Sequence, residues 1–483
     1  MFDKLKELSK DTLIYGISTI VGRLLNFLFV PFFTNVFNPG EYGYIFIIYS
    51  YIAIFNIVYI YGLDSAYLKY ASFKDAADDK DNFSTPYISV FFTSVLISSV
   101  IIFFSRNICN LIEIPESYSY LIIIASIILF FDSNSNIPFL KLRLERKAKL
   151  FSLLKVLNIL VNLIANFVLI FYFRLGIEAI LISNLLAAAL TLVLLIPTII
   201  KNFRLRINYL LLKKLLKFGL PYLPAGLALM FVQVIDVPIL EKLTNVETVG
   251  VYKANYKLGI FMMLFVGMFQ YAWQPFFLNN SKVENIKEVF AKVLTYFCVV
   301  SGILLVLVSL FIEDIIKISF WGYHLIGQRY WDGISIIPIV LLAYVFNGMY
   351  VVFSAGIYIE EKSIYAPIVT GLGAAVNILA NFLLIPILNI NGAAIATLLS
   401  YIVMALGYYI VTQKYYKINY EYLKVVKIFL GISVIAIIYY IFLIDKENVI
   451  IWKIISFISF LIFIFLQVLD KKEIDFIKNK FLK

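Results

Sequence analysis

The chain contains 483 residues, of which 62% are hydrophobic and only 15% are charged. Soluble domains have about 45–50% apolar and about 25% charged residues, so this composition excludes a soluble protein and indicates many membrane-spanning helices. The net charge of +11 would suggest a nucleic-acid partner in a soluble protein, but here it indicates basic loops held at an anionic cytoplasmic leaflet, and we expect no nucleic acid.

Apolar stretches long enough to cross a bilayer follow one another along the chain. A spanning helix needs about 20 apolar residues, and the connections are short, so neighbouring helices should be antiparallel. We therefore predict an all-α polytopic membrane protein with about fourteen transmembrane helices. The predicted spans lie at about 12–37, 42–63, 84–105, 118–140, 150–173, 176–200, 218–240, 249–278, 290–312, 333–357, 364–388, 391–413, 425–444 and 449–469.

The distribution of lysine and arginine between the loops predicts the orientation of the chain. With the N-terminus inside, the inner segments carry 30 of these residues and the outer segments carry six. Because basic loops are retained in the cytoplasm, this asymmetry places both termini there. The first span is too long for a signal-peptide core and lacks a small-residue cleavage site, so we expect it to be retained.

The sequence repeats itself at a shift of 207 residues. Pro31 and Gly43, in the first two spans, align with Pro238 and Gly250, in the seventh and eighth. An even number of spans in each copy gives both copies the same orientation, so an axis along the membrane normal relates them. The predicted parts are a six-helix lobe over 1–205, a second six-helix lobe over 206–413, and two further helices with a basic cytoplasmic tail over 414–483.

Two pairs of asparagines carry a second match, at a shift of 215 residues. Asn162 and Asn166 in the fifth span align with Asn377 and Asn381 in the eleventh. Residues four apart share one helix face, and an amide is costly toward lipid, so each pair should face the bundle interior or a water-filled cavity. We predict that these four side chains contact a polar substrate.

A basic amphipathic segment, Arg204–Lys217, joins the two predicted lobes. Its apolar face can lie at the headgroup boundary with its lysines toward anionic lipid. We interpret it as a structural linker, and docking of a cytosolic partner is the alternative.

Short motifs follow one another in a fixed order over about 10–410. They are Leu13–Gly16, Pro39–Tyr44, Tyr61–Leu68, Gly219–Pro221, Asp236 with Leu240, Val249–Leu258, Gln274–Phe277, Asn381–Pro386 and Asn391–Thr397. In this order they resemble the polysaccharide biosynthesis transporters, the O-antigen and capsule flippases of the multidrug/oligosaccharidyl-lipid/polysaccharide exporter superfamily. Fourteen spans agree with that family.

The resemblance implies two lobes around a central cavity that opens alternately to each side of the bacterial cytoplasmic (inner) membrane. It implies a flippase, not an enzyme, that moves an undecaprenyl-diphosphate-linked oligosaccharide to the outer leaflet. The glycan would be a repeat unit of O-antigen (lipopolysaccharide), capsule or exopolysaccharide. The implied partners are this polyprenyl-diphosphate-linked glycan, membrane lipids, and the polysaccharide polymerase and chain-length machinery.

Basic side chains inside the predicted spans are candidates for binding the diphosphate. Arg23 lies near the midplane of the first span, and Lys253 and Lys257 lie one turn apart in the eighth. A guanidinium suits a diphosphate because it forms bidentate, charge-assisted hydrogen bonds. Lys155 and Lys453 lie close enough to a span end to reach the interface, and we predict that they do so.

Three intramembrane carboxylates, Asp132, Asp236 and Asp64, are candidates for coupling transport to H⁺ or Na⁺. The polar run 133–136 after Asp132 is typical of a surface that faces a wet cavity. For Asp236 the alternative is a static ion pair with Lys253 or Lys257 that holds the seventh and eighth spans together.

Two other functions are compatible with a polytopic chain. A drug/cation antiporter of the same superfamily would favour a cavity with acids and without cations, which Arg23 opposes. A glycan polymerase or glycosyltransferase would normally carry a long outer catalytic loop or acid motifs at a membrane face, which this sequence lacks. Two cysteines, one histidine and no phosphate-binding glycine loop give no basis for a metal, a cofactor or direct use of ATP.

Overall fold

A computed structural model describes residues 24, 27–72, 78–281, 283–320, 322–443 and 449–470. The α-helices are α1 (Phe27–Val36), α2 (Pro39–Ile60), α3 (Leu63–Ser72), α4 (Asp79–Phe103), α5 (Ser105–Leu111), α6 (Ser119–Leu144), α7 (Ala148–Phe167), α8 (Glu178–Asn202), α9 (Tyr209–Gly219), α10 (Tyr222–Val234), α11 (Asp236–Leu243), α12 (Val246–Tyr256), α13 (Ile260–Asn280), α14 (Ile286–Lys317), α15 (Ile337–Ile359), α16 (Tyr365–Leu388), α17 (Ile390–Tyr415), α18 (Tyr422–Ile438) and α19 (Ile450–Gln467). The short elements are 3-10 helices at Glu116–Tyr118, Lys257–Gly259 and Gln328–Ile336, π-helical turns at Val168–Tyr172 and Tyr439–Leu443, and an antiparallel pair of strands, β1 (Ser319–Phe320) and β2 (Tyr323–His324).

The spanning helices agree with the hydropathy of the sequence. Within the described residues, twelve helical segments are long and apolar enough to cross a membrane, or thirteen if α9 and α10, which meet at 41°, form one span. The first predicted span begins outside the described residues and is represented by α1. The predicted all-α polytopic fold is confirmed.

The chain divides into two compact units. The first comprises Met1–Ala254 with Ala374–Ala396, and the second comprises Asn255–Gly373 with Thr397–Lys483. The lobe boundaries at 205 and 413 that the repeat suggests stay predictions.

In the first unit, α6 packs against both α4 and α8, and small polar side chains join it to α4. Ser98 Oγ donates to the Ser126 carbonyl, and Ser126 Oγ donates to the Ser98 carbonyl, each over 3.3 Å. Asn134 Nδ2 donates to Ser94 Oγ over 3.0 Å, and Ser133 and Ser135 are buried beside it. The expectation that this run faces a wet cavity is wrong for these residues, because small hydroxyl and amide groups serve here to bring helices close together.

The linker between the predicted lobes is docked on the first unit. The Arg204 amide donates to Ser84 Oγ over 2.7 Å, and the Arg204 guanidinium lies 3.3 Å from the Asp78 carboxylate. Leu211 and Leu215 of α9 are buried in a cluster with residues of α3 and α4. The apolar face formed by these leucines therefore packs on protein, and the expectation that it lies at the headgroup boundary is wrong for them.

The same N-terminal cap begins α2 and α12. Asn38 Oδ1 accepts a hydrogen bond from the Glu41 amide over 2.9 Å, and Asn245 Oδ1 accepts one from the Thr248 amide over 2.8 Å. Such a cap satisfies one of the amides that the first helical turn leaves unpaired. Both residues of each cap are 207 positions from their counterparts, so the shift found in the sequence also relates local structure.

Gly43 and Gly250 lie where α2 and α12 approach each other. A Cβ atom on Gly43 would overlap the carbonyl oxygen of Val246, and one on Gly250 would overlap the carbonyl oxygen of Pro39. Pro39 and Val246 are again 207 residues apart. Each repeat copy thus presents its glycine to the first helical residue of the other, which is the reciprocity that a two-fold relation requires.

In the second unit, α18 and α19 are fastened to the C-terminal end of α14. Lys453 Nζ, on a residue that is 3% exposed, donates to Asp314 Oδ2 over 2.7 Å. The Tyr439 hydroxyl donates to Glu313 Oε2 over 2.9 Å. The carboxylate that pairs with Lys453 lies near the end of α14, and its side chain is 42% exposed. That Lys453 extends to the interface stays a prediction.

The N-terminal half of α14 is fastened as well. Thr295 Oγ1 donates to Glu421 Oε2, next to the start of α18, over 2.6 Å. Between these contacts, a Cβ on Gly302 of α14 would lie 3.2 Å from Ile428 Cγ2. The close approach along the helices and the polar contacts on either side of it make α14, α18 and α19 one packed group.

Replacing Gly43 or Gly250 by alanine should lower the unfolding temperature of the purified protein, measured by scanning fluorimetry in detergent. The added methyl group meets a backbone carbonyl that cannot rotate away, and overpacking of this kind costs about 1–3 kcal/mol. Gly371→Ala in α16 is the matched control, because a Cβ there meets nothing within 4 Å and alanine favours a helix. Equal unfolding temperatures for all three variants would contradict the reciprocal contact.

Candidate functional site

Asp236 forms a buried ion pair at the start of α11. It is 2% exposed, its Oδ2 accepts a hydrogen bond from the Tyr252 hydroxyl over 2.7 Å, and Lys253 Nζ lies 3.4 Å from both carboxylate oxygens. Asp236 lies on α11 and Lys253 on α12, which the connection 244–245 joins. The geometry is that of the static ion pair, which was the alternative for Asp236, and it leaves Lys253 partly accessible.

Lys257 is not on the same regular helix as Lys253. It begins the 3-10 turn Lys257–Gly259, between α12 and α13, and is partly buried. The expected single face with two lysines is therefore interrupted by a change of helix type.

Asp132 belongs to a polar cluster inside the first unit. It lies within electrostatic reach of Lys155 on α7 and of Tyr49 on α2. Asn184 Nδ2 of α8 donates to the Tyr49 hydroxyl over 3.2 Å. No carboxylate–lysine contact within 4 Å involves Asp132 among the described residues.

The side chain of Lys155 was expected only to reach the interface. It does expose part of its surface, and its Nζ lies 4.4 Å from the centre of the Phe139 ring, but it also faces Asp132. The sequence offered one sign of this pairing, since both groups lie in consecutive spans that must be antiparallel. The sequence does not determine which faces of these two helices are turned toward each other.

The two asparagine pairs have the same geometry in both repeat copies. Asn166 Nδ2 donates to the carbonyl and the Oδ1 of Asn162, over 2.9 and 3.0 Å, and Asn381 Nδ2 does the same to Asn377, over 2.8 and 3.0 Å. Asn166, Asn377 and Asn381 are at most 1% exposed. The Oδ1 atoms of Asn166 and Asn381 have no hydrogen-bond partner among the described residues.

Asp64 lines a cavity of about 280 Å³ between α2, α3 and α10. Gly62, with φ of +77°, turns the chain into α3 where its backbone touches that of Gly219, and only glycine permits both. Asp64 Oδ1 accepts a hydrogen bond from the Ser65 amide over 2.7 Å, and Tyr222 forms part of the opposite wall. The cavity is mostly apolar with one carboxylate, and Tyr222 is a lining residue that the sequence did not single out.

Arg23 lies outside the described residues, so its role rests on the sequence alone.

Glu241, just beyond the predicted seventh span, is a titratable group that the sequence analysis did not identify. It is 8% exposed, and burial together with the nearby Glu113 carboxylate raises the pKa of Glu241 to about 7, while Lys242 opposes the shift. Its signal in the sequence was an acid directly after an apolar stretch, which alone does not distinguish a buried carboxylate from a solvated one.

Within the described residues, no group of three or more histidine, cysteine or acidic side chains could hold a metal ion.

Solved structures resemble this chain over most of its length. The lipid II flippase MurJ in an inward closed conformation matches with a TM-score of 0.73 and 19% identity, over 93% of this chain and 98% of that one. An inward-facing MATE family multidrug resistance transporter of the MOP superfamily matches with a TM-score of 0.67 and 14% identity, over 81% and 94%. The bent form of the Vibrio cholerae MATE transporter VcmN matches with a TM-score of 0.57 and 14% identity, over 85% and 97%. At these identities the similarity shows a shared fold.

Comparison of the sequence with family models is more specific. A search of curated proteins finds no match. The model of a family described as polysaccharide biosynthesis protein matches residues 34–320, which is more than half of the chain. The family predicted from the motifs is thereby confirmed, and the chain belongs to the polysaccharide biosynthesis protein family.

Proposed function

We propose that this protein moves an oligosaccharide linked to undecaprenyl diphosphate from the inner to the outer leaflet of a bacterial cytoplasmic membrane by alternating access. The observation that carries the proposal is the match of residues 34–320 to a polysaccharide biosynthesis family, on a fold shared with a lipid II flippase. The cargo would be a repeat unit of O-antigen, capsule or exopolysaccharide, and the protein itself would make or break no covalent bond.

The contact between the two repeat copies supports a transport cycle. At Gly43 and Gly250 the backbone of one copy lies against the backbone of the other. A contact between small residues can separate and form again without a change of rotamers, which suits helices that must part once in each cycle.

The geometry at Asp236 suits temporary release of a lysine to a phosphate. Strong charge-assisted N–H···O bonds measure about 2.7–2.9 Å, whereas Lys253 lies 3.4 Å from both oxygens of Asp236. A diphosphate could therefore replace the carboxylate at Lys253 at lower cost than it could break a short pair. The Tyr252 hydroxyl, at 2.7 Å, would remain as a partner for the buried carboxylate.

The asparagine pairs would contact the glycan only after the helices around them separate, because three of the four residues are buried in this conformation. Their unpartnered oxygens support such a role, since an unpaired buried acceptor raises the energy of the closed state.

A drug/cation antiporter is the second candidate function. Asp132 favours it, because a carboxylate beside Tyr49 and without a close ion pair in the described residues can take up H⁺ or Na⁺. The same site is compatible with a flippase driven by an ion gradient, so the transported substrate distinguishes the two functions.

In a strain that lacks the gene, lipid-linked glycan should accumulate on the cytoplasmic leaflet and surface polysaccharide should be lost. A plasmid copy should restore both, measured by extraction of lipid-linked glycans and by lectin labelling of intact and permeabilised cells. Normal polysaccharide together with raised sensitivity to cationic drugs would favour the antiporter and contradict the flippase.

Arg23→Ala should abolish polysaccharide export in that strain without reducing the amount of protein in the membrane. Position 23 aligns with Met230 in the second copy, so the repeat itself does not require a charge there. Arg23→Lys should rescue export only in part, because lysine cannot form the bidentate contact. Arg106→Ala, which removes an exposed arginine, is the control. If the Arg23→Ala protein exports polysaccharide at the wild-type level at matched expression, Arg23 does not bind the diphosphate of the substrate.

Asp132→Asn and Asp236→Asn should have different effects in proteoliposomes with an imposed H⁺ or Na⁺ gradient. Asp132→Asn should abolish the dependence of transport on the gradient, because an amide does not bind a proton. Asp236→Asn should lower the unfolding temperature and leave the dependence intact, since it removes the buried carboxylate that pairs with Lys253. Full gradient dependence in Asp132→Asn would exclude that residue from coupling.

A further inference from the structure

Two lysines and two tyrosines meet at one end of α16 and α17 in the second unit. Lys362 Nζ lies 5.1 Å and Lys414 Nζ lies 5.3 Å from the centre of the same Tyr415 ring. The hydroxyls of Tyr415 and Tyr365 are hydrogen-bonded over 2.7 Å, and their rings lie 5.6 Å apart. We call these four residues the aromatic-basic cluster.

The cluster has an excess of positive charge. Among the described residues, no carboxylate lies within 4 Å of Lys362 or Lys414, although Glu360 and Glu361 directly precede Lys362 in the chain. Two ammonium groups held at one ring repel each other, and the ring face attracts each of them only modestly. An anion between them would remove the repulsion, and the two hydroxyl groups add hydrogen-bond donors.

Exposed apolar stripes lead away from the cluster along both helices. On α16 and the turn before it, Ile364, Ile368 and Leu372 recur every four residues and are 69%, 52% and 56% exposed. On α17, Leu406 and Ile410 are 54% and 63% exposed and lie two turns and one turn before Lys414 on the same face. The cationic cluster is thus continuous with an exposed apolar surface on each helix, and such a surface suits hydrocarbon chains.

We propose that the aromatic-basic cluster binds the headgroup phosphate of an anionic phospholipid whose acyl chains lie along these two stripes. The lysines pair with the phosphate, the tyrosine hydroxyls donate to its remaining oxygens, and the rings sit at headgroup depth, where aromatic residues are favoured. A free phosphate would use only the cationic end, whereas a lipid uses the whole surface, and the apolar stripes select the lipid. None of its four residues is among the groups proposed to contact the transported substrate.

The test is native mass spectrometry of the full chain released from detergent with phosphatidylglycerol added. We expect one slowly exchanging phosphatidylglycerol on the wild type, with phosphatidylcholine binding more weakly. The double substitution K362Q/K414Q should weaken phosphatidylglycerol binding about thirtyfold, since each of the two basic residues near a membrane surface contributes about 1 kcal/mol. K362R/K414R should retain binding, and Y365F/Y415F should lose part of it with both rings kept.

The matched control is R143Q/K149Q, which removes one exposed cation near the end of α6 and another near the start of α7. Neither lies over an aromatic ring among the described residues. The phosphatidylglycerol binding of this control should remain within a factor of two of the wild type. A K362Q/K414Q variant that binds as tightly as this control overturns the proposal. Displacement of the lipid by excess inorganic phosphate overturns it too, because the site would then prefer the free anion. If K362Q/K414Q fails to fold, K362R/K414R and Y365F/Y415F test the proposal instead. Loss of phosphatidylglycerol binding in K362R/K414R would then contradict it.

Discussion

The close approach of α2 and α12 at Gly43 and Gly250 is the constraint on which the arrangement of the two repeat copies depends. No residue with a Cβ atom fits at either position without moving a carbonyl group of the other copy. The caps at Asn38 and Asn245 fix where each helix begins, so each glycine falls one turn inside its helix and opposite the first residue of the other. Backbone contact thus sets the distance between the copies at these two positions, and the same residue types achieve it twice.

Polar groups add to the packing of apolar side chains between the helices of the first copy. Lipid gives no hydrophobic driving force for helices to associate, so hydroxyls and amides that exchange hydrogen bonds across helices add specificity. Ser98 and Ser126 pair reciprocally, whereas the asparagine pairs bond along one helix and leave oxygens unpartnered. The hydroxyls of the serine pair are both hydrogen-bonded, which suits a fixed contact between helices. The asparagine pairs keep unpartnered oxygens in this conformation, which suits a surface that another conformation uses.

The helices and the repeat were predictable because they depend on properties carried by the sequence itself. Runs of about 20 apolar residues specify spans whatever their neighbours are, and a shift of 207 residues is visible without coordinates. The partners of polar side chains were predictable only in part. The pairing of Asp236 with Lys253 followed from residues on adjacent helices. The contact of Lys453 with Asp314 and the electrostatic interaction of Lys155 with Asp132 depend on which helix faces meet.

That dependence explains the errors in the polar run after Asp132 and in the linker. Ser133, Asn134 and Ser135 were assigned to a cavity because they are polar, yet small polar residues also serve close helix packing. An amphipathic helix such as α9 buries its leucines equally well against lipid or against protein, and only the positions of α3 and α4 decide between the two. The environment of a residue is a property of the assembled helices, and a single helix does not contain it.

The attachment of α18 and α19 to α14 has a consequence for how the length of this chain could change. Removing the residues after 413 would leave Asp314 without its lysine, Glu313 without the Tyr439 hydroxyl and Thr295 without Glu421. It would also expose Gly302, where α14 has no side chain to present to lipid. A viable twelve-helix descendant of this protein would therefore need compensating substitutions on α14. The sequence of α14 is suited to two helices that follow it by more than a hundred residues, so the three helices can only be lost or changed together.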